Sequence, residues 1–272
     1  MNAGPVNARP MSDVATARRA LACVDLTNLD DGCTVEAVDE LCRRATGPHG
    51  HTAAVCVWPR FVVQAAATLR GTGVRVATVV NFPAGGTDAD VTVAEAADAL
   101  VHGADEIDLV LPYHAFLDGR SDVAAAMIDA VRAIVGSPHR LKVILETGSY
   151  PDLSAVDRAA RLAIEHGADF IKTSTGKTSA SASPDATRTM LLAIRDTRTV
   201  IGGIGRTVGI KPSGGIRTAA DAAIYLAIAD EIMGPEWANP ATFRFGASGL
   251  LDALEAVIAG DESGAVANDA AY

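Results

Sequence analysis

Lys172 stands in Phe170-Ile171-Lys172-Thr173-Ser174-Thr175-Gly176-Lys177, an apolar run that breaks into a polar turn containing glycine. Lysine is among the residues least often fully buried unless paired, and one held inside a buried strand is a candidate reactive amine. Asp108 ends a related stretch. Gly103-Ala104-Asp105-Glu106-Ile107-Asp108 matches Gly167-Ala168-Asp169-Phe170-Ile171-Lys172, with Asp108 in the slot of Lys172, 64 residues earlier. Lys211 ends a third apolar run, Thr207-Val208-Gly209-Ile210-Lys211-Pro212, just before Ser213-Gly214-Gly215.

Two ammonium groups at neighbouring strand ends, with backbones about 5 Å apart, repel by about 3 kcal/mol at an effective dielectric of ~20. That repulsion can lower one lysine pKa by roughly two units, and burial adds to it. The product is a neutral amine beside a carboxylate, which suits Schiff-base chemistry on a carbonyl substrate. Asp108 would shuttle protons next to the imine, with Asp25 and a water as helpers. Asp25, from Cys23-Val24-Asp25-Leu26, could equally hold the network in place.

The elements that must position these groups follow from the spacing. A strand plus a helix takes roughly 32 residues, so 64 residues is two units and the chain holds about eight. The expected fold is α/β, a single-domain (β/α)8 TIM barrel. Its layers of interior side chains come from alternate strands, which would put Asp108 and Lys172 in one layer. Strands are expected over 19–27, 52–58, 73–82, 106–111, 141–146, 170–172, 207–212 and 242–248. Helices are expected from 34, over 88–102, 123–135, 154–166 and 218–229, and from 249 to about 258. Residues 1–12 read as a loose arm, 13–259 as the barrel, and 260–272 as a mobile tail that ends, oddly, in Tyr272. Residues 202–206 form a glycine-rich lead into strand seven.

An anion site is expected where barrels often bind phosphate, in the loops after strands seven and eight and at a following helix N-terminus. Gly214, Gly215 and Gly246 would let backbone N–H groups approach, and Ser248 could cap or donate. Lys177 and Arg217 would supply charge, and Thr175 shares the turn with Lys177.

The 272 residues are 49% hydrophobic but only 4% aromatic, enough for one large core of small aliphatics. A net charge of −10 disfavours nucleic acid and anionic membranes as partners. Cys23, Cys33, Cys42 and Cys56 lack metal-type or CxxC spacing and fit reduced thiols in the cytoplasm. Cys56 reads as a core residue, because no histidine is placed to activate it. His102 and His166 precede glycines at helix ends and read as capping residues. No metal or cofactor is expected.

Asp25-Leu26-Thr27, Asn81-Phe82-Pro83, Glu146-Thr147-Gly148, the octet around Lys172, Lys211-Pro212-Ser213-Gly214-Gly215-Ile216-Arg217-Thr218 and Arg244-Phe245-Gly246-Ala247-Ser248 resemble, in one order, the deoxyribose-phosphate aldolases. The resemblance implies a metal-free class I aldolase that cleaves 2-deoxy-D-ribose 5-phosphate to glyceraldehyde 3-phosphate and acetaldehyde. Lys172 would form the Schiff base, Asp108 would relay protons, Lys211 would tune Lys172, and Tyr272 would aid proton transfer from the C-terminus. Gly249 stands where many members carry a second serine. The alternatives are another Schiff-base barrel aldolase on a phosphorylated sugar, or a non-catalytic sugar-phosphate-binding barrel. A small-molecule substrate and a homo-oligomer, with a dimer favoured, complete the expectation.

Overall fold

Strands and helices alternate through the chain. In the computed structural model, residues 13–200 and 207–269 are described, without the side chains of 198–200 and 261–269. The strands are β1 Val24–Asn28, β2 Ala54–Val57, β3 Arg75–Val80, β4 Glu106–Val110, β5 Arg140–Ile144, β6 Phe170–Lys172, β7 Gly209–Lys211 and β8 Phe245–Ala247. The helices are α1 Val14–Ala22, α2 Val35–Ala45, α3 Val62–Thr68, α4 Ala89–Val101, α5 Tyr113–Leu117, α6 Ser121–Ile134, α7 Leu153–Glu165, α8 Pro184–Val200, α9 Ala219–Met233 and α10 Leu250–Asp269.

Neighbouring strands run parallel in the order β7-β6-β5-β4-β3-β2-β1-β8. Bridges between Ile210 and Phe243 and between Ser213 and Gly246 join β7 to the β8 segment and close the ring. Arg244 N–H donates to Ile210 O at 2.9 Å and Gly246 N–H to Pro212 O at 2.9 Å. This is the expected (β/α)8 barrel.

The pleat sorts the side chains. Because parallel partners in register face the same way and strands alternate with period two, one alternate set from each strand points at the axis. From the register, that set includes Asp25, Cys56, Val79, Glu106, Asp108, Lys142, Lys172 and Lys211. The opposite set, among them Leu26, Val55, Val57, Ile107, Leu109, Leu141, Val143, Ile171 and Ile210, packs against the helices in one apolar cluster. Each such fully buried aliphatic contributes roughly 1.5–3 kcal/mol, so the layer around the barrel is the main apolar source of stability. The axis itself takes the charged groups beside a small apolar cluster that includes Cys56, Ala77 and Val79.

Helix starts follow local chemistry. Thr34, Asp88, Asp152 and Thr218 accept from the N–H groups of Ala37, Val91, Ala155 and Asp221 in the first turn. Gly103 and Gly167, at φ 103° and 107°, follow the C-terminal ends of α4 and α7.

Several expected boundaries move. Residues 19–22 belong to α1, where Arg19 pairs with Asp230 of α9 at 2.6 Å, so β1 starts only at Val24. α7 begins at Leu153, capped by Asp152, one residue before the expected start at 154. α3 and α8 were not anticipated, the first because its short alanine-rich run, Val62–Thr68, carries few polar markers. α10 continues to Asp269, past the end expected near 258. Residues 1–12, 202–206 and Tyr272 lie outside the described residues.

Candidate active site

Seven ionisable side chains fill the barrel axis. Asp25, Glu106, Asp108, Lys142, Lys172, Lys211 and Arg244 are all buried, none more than 3% exposed. Lys172 and Lys211 are register partners on β6 and β7. Their strand ends are stitched together just beyond, where Ser213 N–H donates to Thr173 Oγ1 at 3.0 Å and Ser213 Oγ to Ser174 O at 2.8 Å.

Asp108 is the hub. Its Oδ1 accepts from Lys142 Nζ at 2.7 Å, and its Oδ2 from Lys172 Nζ at 3.0 Å and Lys211 Nζ at 2.8 Å. Asp25 lies 2.6 Å from Lys211 Nζ and 2.6 Å from Arg244 Nη1. Arg244 forks onto Glu106 at 2.9 and 3.2 Å, and Lys142 Nζ lies 2.6 Å from Glu106. The Phe170 ring lies under the Arg244 guanidinium at 5.5 Å.

Electrostatics separate the four cations. Burial disfavours the charged form of each, but Asp108 with Asp25 outweighs it at Lys211, Asp108 with Glu106 outweighs it at Lys142, and Asp25 with Glu106 outweighs it at Arg244. All three are held above their ordinary values. At Lys172, burial and then the Lys211 charge act together against Asp108, and its pKa falls below the ordinary lysine value. Burial likewise opposes ionisation of the carboxyls, yet the cations prevail and hold Asp25, Glu106 and Asp108 low. Three carboxylates against three firmly charged cations leave the axis neutral when Lys172 carries no charge. Cys56 shares this interior, and burial pushes its thiol up, as expected of an inert core residue.

Lys172 opens onto a cavity of about 660 Å3 at the C-terminal end of the strands, within the range usual for small-molecule sites. Thr175, Lys177, Gly214, Gly215, Arg217, Gly246 and Ser248 all line it, so the expected anion-binding residues do converge. Their availability differs. Thr175 Oγ1 donates to Glu146 at 2.5 Å, and its N–H also points at that carboxylate. Gly214 N–H donates to Gly246 O and Gly246 N–H to Pro212 O, so neither is free for an anion. Gly246 matters for its missing side chain, since a Cβ there would sit 2.8 Å from Ser213 Cβ and 3.0 Å from Lys211 Cε. The N-terminus of α9 is taken by Asp221, which accepts from Arg217 and Thr218 N–H in a capping box. Lys177 Nζ lies 3.1 Å from Asp31 across the mouth. Tyr272 lies outside the described residues.

Four participants were not singled out from the sequence. Glu106 follows the charged Asp105 and carried no signal, whereas Lys142 and Arg244 each carried one, a charge flanked on both sides by apolar residues, as in Leu141-Lys142-Val143 and Phe243-Arg244-Phe245. A sharper one is the lysine count. The chain has only four lysines against 19 arginines, and those four are Lys142, Lys172, Lys177 and Lys211. Glu146, buried and in a left-handed conformation at φ 58°, is the fourth. Nothing in its local sequence announces that it anchors Thr175.

A closed (β/α)8 barrel with an amine, a carboxylate and an anion-sized cavity at its C-terminal mouth has the build of a barrel aldolase. The DeoC/LacD family aldolase model matches residues 14–255, and the chain belongs to that family. It is 51% identical over 243 residues, 89% of this chain and 91% of the relative, to the deoxyribose-phosphate aldolase of Agrobacterium fabrum. A Toxoplasma gondii ME49 crystal structure, named provisionally as a deoxyribose-phosphate aldolase, superimposes with a TM-score of 0.81 at 30% identity, covering 91% of this chain and 95% of the other. A Coccidioides immitis structure of the same provisional name gives 0.73 at 31% identity over 87% and 85%. No described helix is long and apolar enough to cross a membrane.

Proposed function

We propose that this chain is a class I aldolase that reversibly cleaves 2-deoxy-D-ribose 5-phosphate to glyceraldehyde 3-phosphate and acetaldehyde. The observation that carries the mechanism is Lys172 itself, a buried amine with a lowered pKa, open to the cavity and 3.0 Å from Asp108. The substrate follows from the likeness to the Agrobacterium relative.

The Lys172 amine adds to the C1 aldehyde of the open-chain sugar, and loss of water from the carbinolamine gives an iminium ion. Asp108 is the carboxylate within hydrogen-bond reach of that nitrogen and relays the protons of these steps with a water. As the C3 hydroxyl loses its proton, the C2–C3 bond breaks. Its electron pair moves into the C1–C2 enamine, and glyceraldehyde 3-phosphate leaves. Protonation of C2 and hydrolysis of the imine release acetaldehyde and return the free amine.

Lys211 stays charged and keeps Lys172 neutral, while Asp25, tied to Lys211 and Arg244, holds the network in place. Tyr272 would aid proton transfer from the C-terminus. The 5-phosphate sits among Gly215, Arg217, Ser248 and Lys177, with Gly214, Gly246 and Thr175 shaping the wall. No metal or cofactor takes part. A cytoplasmic location and a homo-oligomer, with a dimer favoured, belong to the same proposal, and light scattering tests the oligomer.

The direct test is an assay for acetaldehyde and glyceraldehyde 3-phosphate from 2-deoxyribose 5-phosphate. Wild-type protein should release both in equal amounts, and Lys172→Ala should release neither. Turnover by the alanine variant at the wild-type rate would refute the mechanism.

A further inference from the structure

The loop after β6 reaches back over the cavity, and its position is fixed from three sides. Position 148 lies under it with no room for a side chain, since a Cβ on Gly148 would come 2.1 Å from Ala180 Cβ. Ala182 N–H donates to Ser213 O at 3.1 Å, and Tyr225 OH donates to Ala182 O at 3.0 Å from α9. Between these anchors stands Ser181. A Cβ on Gly214 would lie 3.2 Å from Ser181 Oγ, and one on Gly215 would lie 3.1 Å from Ser181 Cβ.

Both glycines have left-handed backbones, at φ 84° and 77°, which opens the space above them for the serine. Ser181 therefore lines the cavity directly above the diglycine turn. Across the cavity, Gly249 offers no side chain. Hydrogen-bond donors for an anion are scarce here, because the N–H groups of Gly214, Gly246, Arg217 and Thr218 all have partners within the protein.

We propose that Ser181 is a ligand of the substrate's phosphate, a hydroxyl donor supplied by the β6 loop in addition to the groups that follow β7 and β8. The assignment rests on the phosphorylated substrate proposed above. A serine hydroxyl rotates freely about its Cβ–Oγ bond and can donate to a phosphate oxygen without moving the backbone. The anchored backbone means that little ordering is needed on binding. Ser181 would then help select phosphorylated over unphosphorylated sugar.

The test compares wild-type and Ser181→Ala proteins on 2-deoxyribose 5-phosphate and on 2-deoxyribose, with inorganic phosphate as a competitive inhibitor. The alanine variant should show a KM for the phosphorylated sugar, and a Ki for phosphate, each raised roughly tenfold, the size of one hydrogen bond to a charged group. Its KM for 2-deoxyribose should stay where it was. A KM and Ki equal to wild type, while the wild type still prefers the phosphorylated sugar, would overturn the role of Ser181 and leave the proposed substrate standing. A wild-type protein indifferent to the phosphate would remove both. Ser181→Gly gives the same comparison should the alanine variant fold poorly.

Discussion

Lys172 and Lys211 share one carboxylate oxygen: Asp108 Oδ2 lies 3.0 Å from the first ammonium nitrogen and 2.8 Å from the second. The sharing is unequal in its effect, because Lys211 also has Asp25 at 2.6 Å while Lys172, among the described residues, has no second carboxylate within 4.0 Å. Lys211 is held above its ordinary pKa, and Lys172 is the amine whose pKa is lowered.

Lys211→Leu should therefore raise the Lys172 pKa back toward the ordinary lysine value of about 10.4. Turnover at neutral pH falls, by roughly tenfold for each unit of the rise, and the acid limb of the pH–rate profile moves upward. A kcat/KM profile from pH 6 to 10 reads the shift. A profile that drops uniformly without moving would mean that Lys211 does not tune Lys172.

Lys172 and Lys142 should affect stability in opposite directions. Folding lowers the Lys172 pKa below the ordinary value of about 10.4, so the fold disfavours its charged form, a cost fully present below the folded value and gone above about 10.4. Lys172→Met should raise urea resistance by about 1 kcal/mol, in keeping with the usual conflict between site and stability. The raised pKa of Lys142 instead gives stability that is present below about 10.4 and lost above its folded value. Lys142→Met leaves Asp108 and Glu106 short of a cation and should cost about 3–5 kcal/mol. Urea unfolding of the two variants side by side checks the pair of signs.

Gly246→Ala tests space alone, since Gly246 is not among the glycines with a left-handed backbone. Its new Cβ would press on Ser213 and on Lys211 Cε. Moving Lys211 off Asp108 and Asp25 should lower kcat at least tenfold and cost about 1–3 kcal/mol of stability, as overpacking does. Single-turnover kinetics with thermal melts would show whether both fall together.

Low pH should unfold the protein from its axis. Asp25, Glu106 and Asp108 all have folded pKa values below their ordinary ones, so the stability they confer is present above about pH 4 and lost as pH falls through the folded values. Melting temperature should hold from pH 7 to about 5 and drop steeply below 4. A flat melting curve down to pH 3 would contradict the ion-pair network.

The barrel was legible because its punctuation repeats: Gly-Ala-Asp ahead of a strand marks both β4 and β6, and the 64-residue spacing gave the unit length. The lysines at glycine-rich turns could be found from their neighbours. Lys142 and Arg244 were not, because one sits inside β5 and the other just before β8, away from any glycine-rich turn, and their importance emerges only when the barrel brings them opposite Asp108, Asp25 and Glu106. Helix α1 was hidden by its own sequence, where Ala20-Leu21-Ala22-Cys23-Val24 reads as one apolar run and only the Arg19–Asp230 pair shows where the helix belongs. The commitment of Thr175 to Glu146 depends on a contact across 29 residues that no local pattern encodes.

The most direct test uses the scarcity of lysine. With 2-deoxyribose 5-phosphate and borohydride, a reduced Schiff base can form on only four side chains, Lys142, Lys172, Lys177 and Lys211, or on the N-terminal amine. Peptide mapping by mass spectrometry should place the adduct on Lys172 alone. An adduct on another amine, or none at all while the sugar is being cleaved, would contradict the account.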